Sequence, residues 1–147
     1  MQTKLTTAAS AEPRAWAIVF RGGDAVMADL LAFAKREGVR GGHFSGIGAF
    51  SSAKLAFFDR GTLSYTDIPI DDQVECLSLD GDIGLVDGEP LLHVHCTVGY
   101  PDGTVRGGHM LEATVWPTLE VFLTESAAPL VKHKDPESTL ELYDFGP

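Results

Sequence analysis

Leu91-Leu92-His93-Val94-His95-Cys96-Thr97-Val98-Gly99 runs into Tyr100-Pro101-Asp102-Gly103-Thr104, a strong turn signal, and continues as Val105-Arg106-Gly107-Gly108-His109. Strand side chains alternate between faces, so His93 and His95 point one way while Leu92, Val94 and Cys96 point to the opposite, apolar side. A hairpin centred on Asp102 sets residue 102−n across from residue 102+n. That register places His95 directly opposite His109. Cross-strand neighbours on one face lie roughly 5 Å apart at Cβ, which lets three imidazoles meet on one divalent ion about 2.0 to 2.1 Å from each. Gly107 and Gly108 add no bulk beside them. His-x-His alone is a weak motif, and the plain alternative is a set of polar residues on the exposed face of an antiparallel sheet. The third histidine at the mirror position sharpens the metal reading, and a one-residue slip of register would remove it.

Outward from this hairpin the chain is mostly strand and turn. Residues 43–47, 54–60, 62–69, 73–79, 83–86, 91–99, 104–111 and 115–125 read as strands separated by Gly, Pro and Asp. Asp87-Gly88 marks a second tight hairpin. Residues 14–21, centred on Ala15-Trp16-Ala17-Ile18-Val19-Phe20, read as a buried strand. One helix is predicted over 25–37, with Asp24 as N-cap, an apolar face of Val26, Met27, Leu30, Leu31 and Ala34, and Gly38 as its stop. The pattern predicts a mostly antiparallel sheet or open barrel carrying one main helix. Residues 1–13 read as a mobile tail, 14–125 as the domain, and 126–147 as an extension that wraps over the domain or a neighbour.

The chain has 147 residues with 44% hydrophobic content and sixteen glycines, which suits one water-soluble domain. The N-terminus lacks the basic-then-apolar pattern of a secretory signal, and no apolar run is long enough to span a membrane, so the cytoplasm is the expected location. Cys76 and Cys96 sit inside predicted strands and read as two reduced thiols. A net charge of −10 argues against a large nucleic-acid footprint, which needs clustered Lys and Arg. Lys35, Arg36 and Arg40 come nearest to a cluster and fall at the helix C-terminus, where cations complement the dipole.

Other candidates carry less. Gly22-Gly23 lacks the spacing of a phosphate loop, and neither Ser45 nor Ser51 stands in Gly-x-Ser-x-Gly. His43 and His133 read as structural or solvated. Asp80 and Asp82 around Gly81 read as a short acidic turn, too little for a calcium loop. Glu120, in the last apolar strand, is a candidate to support a ligand or to act as an acid or base.

Ser45-Gly46-Ile47-Gly48-Ala49, Leu79-Asp80-Gly81-Asp82-Ile83, Leu91-Leu92-His93-Val94-His95, Gly107-Gly108-His109-Met110 and Thr118-Leu119-Glu120-Val121 occur in this order. Together they resemble the plants-and-prokaryotes conserved (PPC) domain over about residues 14–125. The resemblance implies an α/β fold on a mostly antiparallel sheet, assembled as a homotrimer, with histidines matching His93, His95 and His109 that can hold a metal. It also brings the family's DNA-binding label. In plant members the domain follows an AT-hook with an Arg-Gly-Arg-Pro core, which this chain lacks. Of the plant partner-binding stretch Gly-Arg-Phe-Glu-Ile-Leu, residues 72–77 keep only Glu75 and Leu77. The histidine pattern is similar as well to that of acetolactate decarboxylase, a zinc enzyme.

Three functions follow as expectations. The favoured one is a homotrimeric interaction or regulatory module with a three-histidine divalent-metal site, zinc being the first choice although imidazole suits several metals. The alternative is a zinc-dependent enzyme acting on a small carbonyl or hydroxy-acid substrate, because three protein ligands leave one coordination position open. Direct DNA binding ranks last on charge. Metal binding is expected to weaken below about pH 6.5, where an ordinary imidazole protonates.

Overall fold

The computed structural model describes residues 1–5 and 13–146. Its main sheet is antiparallel, in the order β1-β2-β7-β6-β5-β3-β4. The strands are β1 (Gln2–Leu5), β2 (Ala15–Arg21), β3 (Gly42–Asp59), β4 (Ser64–Ile70), β5 (Val74–Val86), β6 (Glu89–Gly99) and β7 (Val105–Glu125). A further pairing of β7 with β3 closes β3, β5, β6 and β7 into a ring. A separate two-stranded sheet joins β8 (Lys132–Lys134) to β9 (Glu141–Tyr143). The helix α1 (Val26–Glu37) packs over β6 and β7.

Both predicted hairpins form. Around Asp102 the observed pairs include His95 with His109 and Gly99 with Val105. At Asp87-Gly88 both residues take positive φ, 51° and 84°, as a type I′ turn requires. The inward faces of these strands build the core. Phe20, Phe44, Phe50, Leu55, Val94 and Met110 are fully buried, and removing such a side chain from water contributes roughly 1.5 to 3 kcal/mol.

Three predicted breaks are absent. Residues 43–47 and 54–60 belong to one strand, as do 73–79 with 83–86 and 104–111 with 115–125. Register shifts, for example between Gly46 and Gly48, bend β3 without ending it, since a bulge adds an unpaired residue and sharpens the local twist. Asp80-Gly81-Asp82 is accordingly not a turn. It lies inside β5, paired with residues of β6.

The helix begins differently from expectation. Asp24 does not cap it; Ala25 holds that position with no side-chain bond. The Asp24 carboxylate instead accepts the Arg21 amide at 2.8 Å and stands 2.5 Å from the Met1 amino group, a full charge that outcompetes a helix amide. Asp29 reaches back to accept the Ala25 amide at 3.0 Å. Gly38 ends the helix in the left-handed region, as predicted. Phe33 joins the buried face and meets Trp16 edge-on at 5.5 Å between ring centroids.

Both terminal segments carry structure. Gln2–Leu5 of the expected tail pair with β2, while residues 6–12 of that tail lie outside the described residues. The C-terminal extension folds back over its own domain: the Leu85 amide donates to the Leu130 carbonyl at 2.7 Å, and the Leu130 amide to the Arg40 carbonyl at 3.0 Å. Cys76 and Cys96 are buried and unbridged, their sulfurs 3.6 Å apart. No described helix is long and apolar enough to cross a membrane.

Candidate metal centre

Strand alternation and hairpin register bring His93 and His95 of β6 together with His109 of β7. Their ring centroids lie 5.1, 5.4 and 5.5 Å apart. One donor nitrogen from each falls within 4.8 Å of the others, and among the described residues this is the group with metal-ligand geometry. Rings closing slightly on a divalent ion reach the bond length of about 2.0 to 2.1 Å that imidazole prefers. Leu92, Val94 and Cys96 are buried on the opposite face, as alternation requires.

The residues fit a cation. His109 Nδ1 is buried without a hydrogen-bond partner, a condition that folded proteins avoid and that a bound ion in the cluster relieves. Burial, with the like charges of His93, His95 and Lys132 adding to it, lowers the His109 imidazole to about 4. Burial and the neighbouring His93 lower His95 as well. Both rings are therefore neutral near pH 7, the state in which imidazole coordinates.

Gly108 lets β7 pass here. A Cβ on it would sit 2.7 Å from the Ala56 carbonyl oxygen of β3, with which β7 pairs at the next residue, His109. The His109 strand position is thus gripped by β6 on one side and β3 on the other.

Around the histidines lie groups that the sequence reading missed. Asp82 stands directly across from His93 in the register, with its Oδ2 3.4 Å from His93 Nδ1. Its Oδ1 receives Lys132 Nζ at 2.5 Å and the Tyr143 hydroxyl at 2.7 Å. Burial pushes this carboxyl up, yet the bonds from His93, Lys132 and Tyr143 outweigh it and hold the group down at about 2. Mirroring residues about Asp87-Gly88, as was done about Asp102, gives the Asp82–His93 and Asp80–His95 pairs. That signal was present in the sequence. Nothing local announces Lys132 and Tyr143, which return from the C-terminal extension. Tyr65 of β4 lies 4.9 Å from the His109 ring, centroid to centroid. With Leu91, Leu140 and Leu142 it walls a cleft of about 210 Å³ that opens on His93 and His109.

The remaining candidates lie elsewhere. Glu120, the candidate for supporting a ligand or acting as an acid or base, is exposed beside Ile47 and Leu77 and lies outside the histidine cluster. His43 and His133 are exposed and do not join it. Ser45 and Ser51 are exposed, and the Ser51 hydroxyl donates to the Thr114 carbonyl. Asp80 is exposed and accepts the Ser78 hydroxyl.

The sequence profile of the Plants and Prokaryotes Conserved (PCC) domain matches residues 8–127. Among solved structures, a "putative DNA binding protein" of Bacteroides thetaiotaomicron is similar with a TM-score of 0.88 at 26% identity, over 97% of each chain. A metal-containing protein of Archaeoglobus fulgidus gives 0.82 at 26% identity, over 97% of this chain and 96% of its own. A plant- and prokaryote-conserved protein of Pyrococcus horikoshii gives 0.84 at 26% identity, over 99% of this chain and 96% of its own. No curated protein matches the sequence. With its domain profile and its fold matched over most of its length, the chain belongs to the plants-and-prokaryotes conserved domain family.

Proposed function

We propose that this protein is a homotrimeric, metal-binding module of the cytoplasm, with one divalent ion, zinc by first choice, held by His93, His95 and His109. The observation that carries the reading is the convergence of three imidazoles on one face of the β6–β7 hairpin, one of them half-buried with a buried and unpartnered nitrogen. A metal-containing protein of the same fold adds weight. When bound, such an ion supplies a Lewis-acid centre with a coordination position left to water, a small molecule or a partner's side chain. The chain's own contribution is to favour the neutral form of His95 and His109, to orient the three rings on one face, and to back them with an apolar core.

Self-association is supported by an exposed apolar face. Ile47 and Phe122, 64% and 62% exposed, share the outer side of β3 and β7, and Leu77 stands beside Ile47 at 50%. Apolar surface of this kind marks contact with another protein surface. One feature favours the enzymatic alternative on a small carbonyl or hydroxy acid: the cleft beside His93 and His109 has apolar walls and, at about 210 Å³, admits only a small molecule. DNA binding, the description given to the Bacteroides relative, is the weakest reading for a chain of net charge −10.

Metal analysis after dialysis against sub-stoichiometric chelator tests the site. Wild type is expected to retain about one equivalent of zinc per chain. His95→Ala, and the His93→Ala/His95→Ala pair still more, should lose it by 10-fold or greater weakening of affinity. Equal metal content in wild type and the double variant would refute the assignment.

A further inference from the structure

We propose that the C-terminal hairpin β8–β9 is a working part of the metal site, with Lys132 and Tyr143 acting through Asp82 to fix the orientation of His93. The proposal rests on the metal-binding reading and assigns these three groups a positioning role. Lys132 is 3% exposed, the buried charged residue among the described residues. Burying an ammonium is costly unless it is paired, and an apolar side chain would tie a hairpin down at lower cost. Its charge is instead directed at one atom, Asp82 Oδ1, while its Nζ lies 4.6 Å from the centre of the Tyr143 ring.

The carboxylate is held asymmetrically. Lys132 and Tyr143 both donate to Oδ1, which leaves Oδ2 turned to His93 Nδ1. An acceptor at that nitrogen selects the tautomer protonated on Nδ1 and leaves the lone pair on Nε2, and carboxylates behind ligand histidines act in this way. His93 needs the support, since its side chain is 46% exposed and it comes from the rim of the cluster. Ring contact alone does not pin it.

The backbone of β5 makes room for the arrangement. Gly84 lies on the same strand face as Asp82, two residues on, and a Cβ there would come within 2.9 Å of both Lys132 Cε and the Tyr143 hydroxyl oxygen. The hairpin is thus seated on a glycine, with its two donors over one oxygen of Asp82. His133, between them in sequence terms on β8, is exposed and takes no part.

Competition titrations with cobalt(II), paired with nitrogen-15 NMR of the His93 ring in metal-free protein at constant pH, test the proposal. Tyr143→Phe removes one hydroxyl and keeps the ring; it should weaken cobalt binding several-fold and shift His93 toward a mixture of tautomers. Lys132→Met and Asp82→Asn should weaken binding about 10- to 100-fold, the range for groups that orient metal ligands. His133→Ala, in the same hairpin, should bind as wild type does. Circular dichroism reports whether each variant is folded, and Tyr143→Phe carries the test if Lys132→Met is not. Folded Tyr143→Phe and Asp82→Asn proteins with wild-type affinity and an unchanged His93 tautomer would overturn the positioning role alone. Wild type without cobalt uptake would remove the metal-site reading, and this proposal with it.

Discussion

Burial sets the cluster's response to pH one side chain at a time. His109 titrates at about 4 in the folded chain, through desolvation first and neighbouring positive charge second, against about 6.5 in an unfolded one. Between those values the unfolded state binds more protons, so stability rises with pH across that window. Metal-free protein is therefore expected to be most stable above about pH 6.5 and to melt at progressively lower temperature toward pH 4. His109→Gln should flatten that slope, as melting curves at stepped pH will record. Asp82, held at about 2, works in a lower window: its contribution is present above pH 3.8 and is lost as the pH falls toward 2. The competition with protons below about pH 6.5 expected from an ordinary imidazole is moved downward at two of the three proposed ligands. Protons compete for His109 only near 4, and for His95 below the usual histidine value.

At the level of strands, one glycine controls whether β7 can lie against two neighbours. In Gly108→Ala the new methyl group would meet the Ala56 carbonyl oxygen at 2.7 Å, and backbone cannot swing aside as a side-chain tip can. A stability loss of about 1 to 3 kcal/mol is expected, with weaker metal binding because His109 moves with the strand. In Gly107→Ala the nearest atom, the Cys96 carbonyl oxygen, is 3.2 Å away, and a smaller loss is expected. Urea unfolding of the pair checks the order. The same strands explain what could be read from residues alone. Turn chemistry at Asp102-Gly103 and strict alternation from Leu91 to Cys96 fixed the His95–His109 register, because a period of two leaves no freedom once a turn is placed. Asp80-Gly81-Asp82 has turn composition but is threaded through a sheet whose pairing overrides local preference. Of the β3 irregularities, the one at Gly46-Ile47-Gly48 is marked by its glycines, whereas the shift between Lys54 and Leu55 leaves no compositional mark. Lys132 and Tyr143 reach Asp82 from some fifty and sixty positions away, a contact that only tertiary structure creates.

For the molecule as a whole, a net charge of −10 is combined with an exposed apolar patch on β3 and β7. One helix covers part of the sheet, and Ile47, Leu77 and Phe122 are left exposed. Closed symmetric association buries such a face without leaving an edge for further growth. Light scattering at micromolar concentration is expected to give three times the 15.8 kDa chain mass. Phe122→Asp should shift it toward one chain while the isolated fold persists, and a wild-type monomer would end the trimer reading.

The double pairing of β7 also has a consequence in time. Its first residues pair with β6, its neighbour in sequence, whereas residues 118–124 pair with residues 15–21 at the other end of the chain. Hairpins close in microseconds, but joining distant segments costs loop-closure entropy before any contact repays it. The three imidazoles and Asp82 all belong to the contiguous β5-β6-β7 meander, so this cluster is expected to assemble in the fast, local phase of folding. Lys132 and Tyr143 arrive with the last segment of the chain. An ion bound by the three histidines would clamp only the local β6–β7 hairpin, so its presence would leave the slow pairing of residues 118–124 with residues 15–21 still to be made.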